Sequence, residues 1–309
     1  MKPHHKKILS VGILLVLIVL LVHYVLKNAG EFSQLKVVSP KLLVILLALM
    51  VLNYLFIGLG TRILLKPLGV KLGVGEAFAL SLVTGFYNLI TPFHGGMAIR
   101  ALYLKKKHRF SYTNFISALS ASYVLVFFVI SILGIITSLL IYLTEKVFSW
   151  IVFLVFLGFF LSLLFLMVFS PQGRKRRNSW INKIIEVVHG WHLIKNNRKA
   201  VSGIIVLSLV QTFVAAFMLY LQFKVFGLEI EFVKCLFLTA ITTIGIVVSV
   251  TPAGLGINEA IVVFSAATIG ISATQSLSVA LLGRALSLVV LLILGPLFSW
   301  VLLKKTNVR

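Results

Sequence analysis

Long apolar runs, separated by short charged stretches, dominate this chain. A helix needs about 18 or more consecutive apolar residues to cross a bilayer. On that criterion the pattern predicts six transmembrane helices, at 8–26, 42–65, 113–143, 147–169, 201–225 and 279–303. The first run follows Lys2, Lys6 and Lys7 as a signal peptide would, but it is long and lacks a small-residue cleavage site. We therefore interpret it as a retained anchor span.

Two further apolar segments, 77–104 and 235–270, are interrupted by glycine and proline. The breaks read Thr91-Pro92-Phe93-His94-Gly95-Gly96 and Thr251-Pro252-Ala253-Gly254-Leu255-Gly256. Landmarks around them recur at offsets of 158 to 161 residues: Gly69 with Gly227, Pro92 with Pro252, Gly96 with Gly256, Ser111 with Ser272, and Gly134 with Gly295. The chain therefore contains an internal duplication, with repeat A at 42–143 and repeat B at 201–303. Matching breaks in two halves of a membrane protein point to a binding site near the midplane.

The net charge of +22 is unevenly distributed. Of the 29 Lys and Arg residues, 21 lie in five clusters, at 2–7, 62–71, 105–109, 174–199 and 304–309. Positive clusters mark cytoplasmic loops, so both termini are expected inside an inner or plasma membrane. Anionic lipid, rather than nucleic acid, is the expected partner of such a surface.

The same charge map predicts how the interrupted segments lie. Segment 77–104 begins and ends at basic clusters, so it should enter and leave from the cytoplasm, whereas 235–270 begins and ends in charge-poor connections and should do so from outside. Three crossings separate the starts of the repeats, which inverts the second copy. We expect an all-α polytopic membrane protein, one membrane domain over 1–309, with six transmembrane helices plus two opposed re-entrant helical hairpins in an inverted repeat. The alternative, a single crossing by each segment, would leave a basic cluster outside.

The largest predicted loop, 171–200, combines a basic run with apolar residues at helical spacing: Trp180, Ile184, Val187, Val188, Trp191 and Ile194. This pattern is typical of an amphipathic helix in the inner interface, and we interpret it as a tether to the headgroups. In the same loop Glu186, His189 and His192 could share a helical face, but we interpret them as a wet surface and predict neither a metal site nor a cofactor. The lone Cys235 permits no internal disulfide.

The glycines of the breaks are candidate ligand contacts: Gly95, Gly96, Gly254 and Gly256. A helix broken inside a membrane persists only where it lines a protein-buried or watery cavity. Without a side chain, these positions let a ligand approach backbone N–H groups at the positive end of the returning half-helix, which suits a phosphate. The alternative is a pair of kinks closed by small-residue packing.

Three charged residues at membrane depth complete the predicted headgroup site. Glu259 is expected in the first turn of the second outer half-helix, where it could bind ligand or a proton, or only cap the helix. Arg284 is its natural counter-charge or a phosphate ligand, and Arg100 is a second phosphate candidate. Either arginine could instead snorkel to an interface. Secondary candidates are Asn88, His94 and Asn258.

These motifs resemble a known family. The pattern from Gly85 to Pro92, followed by Gly95, Gly96 and Arg100, and then the second break with Glu259 and Arg284, looks like the lysylphosphatidylglycerol synthase transmembrane region, a flippase-like family. The resemblance implies a lipid-translocating domain, which in aminoacyl-phosphatidylglycerol synthases is joined to a soluble synthase domain. Because this chain ends at Arg309 directly after its last span, we expect no lysyl transfer by the chain itself, and a separate synthase could be a partner. His94 and Ala253 leave the lipid open, isoprenoid-linked sugars included.

Three functions fit the sequence. The first is a flippase or transporter for an anionic phospholipid or another lipid-linked headgroup. The second is a membrane enzyme that transfers sugars or phosphates on a polyprenyl carrier, with Glu259 as its base. All seven acidic residues are Glu, and the Asp-rich clusters with which enzymes usually hold Mg²⁺ and phosphate are missing. The third is a non-transporting partner protein. The sequence leaves oligomerisation open.

Overall fold

The computed structural model describes residues 26–27, 30, 37–91, 93, 95–169, 185, 191–192, 194–249 and 251–306. The regular structure of these residues consists of helices alone. They form α1 (Pro40–Leu65), α2 (Val74–Ile90), α3 (Gly95–His108), α4 (Tyr112–Glu145), α5 (Trp150–Phe169), α6 (Arg198–Val225), α7 (Phe232–Gly245), α8 (Ile257–Ala267) and α9 (Ala273–Thr306). The predicted span 8–26 and most of loop 171–200 lie outside the described residues.

Five of the described helices are long and apolar enough to cross a membrane: α1, α4, α5, α6 and α9. They coincide with the five predicted spans from 42–65 to 279–303. Large apolar side chains stay exposed along them, including Val44, Leu154, Val206 and Leu292. Surfaces of this kind suit lipid tails, which are as apolar as the side chains themselves. The protein is an all-helical membrane protein.

The two interrupted segments each form a pair of shorter apolar helices, α2 with α3 and α7 with α8. The order long, short, short, long therefore occurs twice, in α1–α4 and in α6–α9, with α5 between. A serine cap also occurs at the start of the last helix in each half. The hydroxyl of Ser111 accepts a hydrogen bond from the Asn114 amide at the start of α4, and Ser272 accepts one from Gln275 at the start of α9. Each Ser caps a helix whose first N–H groups lack intrahelical partners.

Contacts between the two halves are reciprocal. At one end of the α1–α6 pair, the Val38 amide donates to the Val225 carbonyl over 2.8 Å. Towards the other end, a Cβ added to Gly203 would lie 3.2 Å from the Ile63 side chain. Helices α1 and α6 thus run antiparallel. In addition, α2 packs on α9 and α7 packs on α4, so the first helix of each hairpin contacts the last helix of the other half.

Part of the predicted interfacial loop is packed inside the protein instead. Trp191 and Ile194 are buried in an apolar cluster with Leu65, Leu104 and Ile204. At these two positions the cluster formed by α1, α3 and α6 buries the apolar side chains that we expected at the headgroups. Trp180, Ile184, Val187, Val188, Glu186 and His189 lie outside the described residues, so the rest of this prediction stays untested.

Candidate functional site

Both hairpins break with the same backbone conformation. Phe93, between α2 and α3, has φ 55°, and Ala253, between α7 and α8, has φ 48°. These two residues occupy matching positions in the duplication. A side chain in the left-handed region costs about 1–3 kcal/mol, so it persists only where the surroundings enforce it. Its recurrence in both halves indicates that each hairpin needs this sharp turn.

Arg100 of α3 points into the protein. Its side chain is buried, with 6% of the residue exposed. The Nε group donates to Thr84 Oγ1 over 2.9 Å, and Nη1 donates to Thr61 Oγ1 over 3.1 Å. Each threonine hydroxyl donates its own proton to a helix carbonyl, that of Leu80 or Ile57, and so offers the arginine a lone pair. The snorkelling alternative for Arg100 is therefore wrong.

Among the described residues, no carboxylate lies against the positive charge of Arg100. In the part of the chain that the structure describes, no Asp, Glu or chain terminus lies within 4.0 Å of its guanidinium. A guanidinium carries five N–H donors, of which the two threonines use two. Removing an ion from water without a counter-charge costs several kcal/mol. Arg100 is thus suited to an anion that comes from outside the chain.

Arg284 of α9 is paired, as its role as counter-charge to Glu259 predicts. Its Nη2 and Nε groups donate to Glu259 Oε1 over 2.7 and 2.9 Å. Its Nη1 group donates to the Ala253 carbonyl over 2.9 Å, inside the second break. The other carboxylate oxygen, Oε2, accepts from the Gly256 amide over 2.7 Å. Glu259 therefore caps α8 and binds Arg284 at once.

The glycines of the first break allow close helix packing, whereas those of the second break adopt positive φ angles. The Gly96 amide donates to Asn88 Oδ1 over 2.8 Å, and a Cβ on Gly96 would lie 2.0 Å from the Thr84 carbonyl oxygen. A Cβ on Gly95 would meet the Thr91 side chain. Close packing of α3 on α2 thus requires the first pair. Gly254 and Gly256 have φ of 66° and 80°, a conformation that glycine adopts most easily.

A cavity of about 460 Å³ lies where the two halves meet. Its lining comes from α1, α2, α3, α4, α6, α8, α9 and the second break. Of the predicted residues, it includes Arg100, Arg284, Gly254, Asn88 and Asn258. The charged side chains among its described lining residues are the two arginines, so the cavity is electropositive. Gly95, Gly96, Gly256 and Glu259 are not part of this lining. His94 lies outside the described residues.

A smaller cavity of about 240 Å³ adjoins the first. The two share Asn258, Arg284 and Ser287, while Glu259 and Gln222 line only the smaller one. The ion pair of Arg284 and Glu259 therefore borders both spaces.

The sequence analysis missed a polar cluster at the base of the first hairpin. Glu76, in the first turn of α2, accepts hydrogen bonds at Oε1 from Tyr103 over 2.7 Å and from Lys107 over 2.8 Å, and His108 Nε2 lies 2.8 Å from the same oxygen. Burial raises the pKa of Glu76, but the hydrogen bonds from Lys107, His108 and Tyr103 outweigh it and lower the pKa from 4.5 to about 2. The cluster joins the start of α2 to the end of α3.

The base of the second hairpin is joined to a different helix. The duplication aligns Glu76 with Lys234, and Lys234 Nζ lies 2.7 Å from Glu145 Oε1 at the end of α4. The signal for both clusters was present in the sequence as charged residues at the ends of the interrupted segments. The hydroxyl partners of Arg100 left no such signal, because Thr61 and Thr84 lie on two helices at no fixed spacing from it.

Comparison with known proteins places the chain in a family. A comparison with curated proteins finds no significant match. A scan against family models matches residues 7–295 with the lysylphosphatidylglycerol synthase TM region. The match covers most of the chain, including both breaks, Arg100, Glu259 and Arg284. The chain belongs to the lysylphosphatidylglycerol synthase TM region family.

Proposed function

We propose that the protein is a lipid flippase or transporter, which moves an anionic phospholipid or an isoprenoid-linked lipid across the membrane. One observation supports this most strongly: Arg100 is buried without a carboxylate partner among the described residues and lines an electropositive cavity. Membership of the lysylphosphatidylglycerol synthase TM region family also favours a lipid ligand.

In this proposal the headgroup phosphate is the missing counter-charge. Guanidinium groups bind phosphate through paired, charge-assisted hydrogen bonds, and these are stronger away from bulk water. Arg100 reaches the cavity from the first hairpin and Arg284 from the last helix, beside the second break. A phosphate between them would contact both halves of the molecule at once.

We also propose the layout of six spans and two opposed re-entrant hairpins, with both termini in the cytoplasm. The antiparallel packing of α1 and α6 supports an inverted repeat, because these are matching helices of the two halves. Helix α4 supports opposed hairpins. It has 34 residues and so is about 50 Å long. The first hairpin ends at His108, just before α4 begins, whereas Lys234 of the second hairpin pairs with Glu145 at the far end of α4.

The site favours transport over transfer of sugars or phosphates. No carboxylate is among the described residues that line the larger cavity. Glu259, the expected base in the enzymatic alternative, has one oxygen on Arg284 and the other on the Gly256 amide. A general base must lie within reach of the proton that it removes, and Glu259 does not line the larger cavity.

A translocation assay tests the proposal. In proteoliposomes that contain fluorescent phosphatidylglycerol, we expect the wild-type protein to make inner-leaflet lipid accessible to an impermeant quencher. Arg100→Gln should slow this at least about tenfold, because a charge-assisted hydrogen bond contributes about 1.5–3 kcal/mol. Arg62→Gln is the matched control, since Arg62 is exposed at the end of α1. Recovery of chemically unchanged lipid separates transport from transfer.

Stability measurements show whether slower translocation in Arg100→Gln comes from the loss of the binding site or from the loss of the fold. Replacing a buried unpaired charge should leave the unfolding temperature unchanged or raise it. Equal translocation rates in Arg100→Gln and Arg62→Gln would contradict the proposed site. A wild-type protein that moves no lipid, or that modifies it, would contradict the proposed function.

A further inference from the structure

The ion pair of Glu259 and Arg284 is placed to exchange partners. Arg284 lines the larger cavity together with Arg100, whereas Glu259 lines only the smaller one. The arginine is thus exposed to the space where an anion would bind, and its carboxylate is exposed to a separate space. Arg100, which is already without a carboxylate, can attract an anion without breaking any contact. Arg284 cannot, because its Nε and Nη2 groups are on Glu259.

The hydrogen bonds of Glu259 show what such an exchange would leave behind. Both bonds from Arg284 end on Oε1, and the Gly256 amide donates to Oε2. If Arg284 turned to an anion, Oε1 would lose its donors while the side chain stayed only 7% exposed. A buried carboxylate that loses its counter-charge becomes strongly unfavourable in its ionised form and binds a proton instead.

We propose that an anionic ligand displaces Arg284 from Glu259 and that Glu259 takes up a proton in the same event. This inference rests on the proposed function and deepens it. The two N–H donors of Arg284 move from Oε1 to the oxygens of the ligand. A proton from the bulk solvent enters through the smaller cavity and bonds to Oε1, with no hydroxide left in the site, and the Gly256 amide stays on Oε2. One anion and one proton thus enter the site together, which links lipid binding to proton uptake.

Among the described titratable groups that line the two cavities, Glu259 is the one suited to accept a proton. From α9 it faces Arg284, and from α6 it faces the uncharged Gln222. Helix α7, which also packs on α8, adds no titratable side chain to the smaller cavity among the described residues. Among the described residues that line the larger cavity, the other titratable side chains are Arg100, Tyr54 of α1 and Tyr123 of α4. A tyrosine is ordinarily neutral well above pH 8, so none of these changes charge between pH 5 and 8.

The pH dependence of ligand affinity tests this inference. The probe is short-chain phosphatidylglycerol, whose phosphodiester stays ionised across the range, with purified protein in a neutral detergent at constant sodium concentration. Uptake of one proton on binding makes affinity rise as pH falls, by up to about tenfold per pH unit. Glu259→Gln should still bind the probe, but with an affinity that is independent of pH, because its amide cannot titrate. Glu229→Gln, at a carboxylate that is 88% exposed, should keep the wild-type slope.

The other possible results of the affinity measurements would overturn either the proton linkage or the lipid site. A wild-type affinity that does not change with pH, or a slope that persists in Glu259→Gln, would overturn proton linkage while leaving the lipid site in place. Affinity that follows sodium at fixed pH would overturn it in favour of a metal cation. No binding at any pH would overturn the proposed phospholipid site, and this inference with it. If Glu259→Gln fails to fold, the pH and sodium series on the wild-type protein still show whether lipid binding is linked to proton uptake.

Discussion

At the scale of single residues, a missing side chain places the key arginine. Gly96 lets the start of α3 approach α2 so closely that a Cβ would lie 2.0 Å from the Thr84 carbonyl oxygen. Thr84 is also the residue whose hydroxyl accepts from Arg100, one turn further along α3. The close approach at Gly96 therefore brings the guanidinium to its hydroxyl partner at the cavity wall. A packing requirement and a binding geometry depend on the same glycine.

We predict that Gly96→Ala lowers stability by about 1–3 kcal/mol, the usual cost of inserting a methyl group into a filled space. Gly158→Ala is the matched control, because nothing lies within 4 Å of a Cβ at that position in α5. In the control, the better helix propensity of alanine should raise stability by about 0.5–1 kcal/mol. Thermal unfolding in detergent measures both. Equal unfolding temperatures for the two variants would show that α3 can move away from α2 at no cost.

At this scale the sequence predicted a contact between opposite charges, Glu259 and Arg284. The pairing of Arg284 with Glu259 followed from two opposite charges at membrane depth. The hydroxyl partners of Arg100 could not be predicted, because serine and threonine are common in apolar helices and usually bond to their own backbone. The packing of Gly96 against Thr84 depends on how closely two helices approach, which the sequence does not state.

At the scale of helices, polar side chains close the first hairpin at its base. Oε1 of Glu76 lies within hydrogen-bond distance of Tyr103, Lys107 and His108, so the start of α2 is joined to the end of α3. These polar contacts also explain the helix ends. We predicted a hairpin over 77–104, from the apolar residues alone, whereas α2 begins at Val74 and α3 ends at His108. The charged ends are helical because they pair with each other.

We predict that this closure weakens in acid. The pKa of Glu76 falls from 4.5 to about 2 on folding, so its contribution to stability is complete above about pH 4.5 and is lost as the pH falls towards 2. The stability advantage of the wild-type protein over Glu76→Gln should therefore shrink between these two values. Thermal unfolding of both proteins from pH 7 to pH 3 measures it. A constant difference across this range would show that Glu76 keeps its ordinary pKa.

At the scale of the whole molecule, the order long, short, short, long occurs twice among the described helices. The spans at 42–65, 113–143, 147–169, 201–225 and 279–303 were recognisable because membrane helices need long apolar runs. The packing of α1 against α6 was not predicted from the sequence. Helix α2 packs on α9, and α7 packs on α4. Side-chain shape fits α2 to α9, as in the contacts of Phe86 with Gly295 and of Leu291 with Gly85. Both halves thus contribute helices to the wall of the larger cavity.

We expect the two hairpins to enter from opposite faces of the membrane, so that the cavity between them can be reached from either side. Single-cysteine labelling in intact cells tests it most directly, in a Cys235→Ala background because Cys235 is a buried free thiol. Lys106 at the end of α3 and Glu229 before α7 are both exposed positions for the new cysteine. With an impermeant reagent outside, we predict labelling at 229 and none at 106 until the membrane is permeabilised. Labelling of both positions from outside, or of 106 alone, would contradict the account.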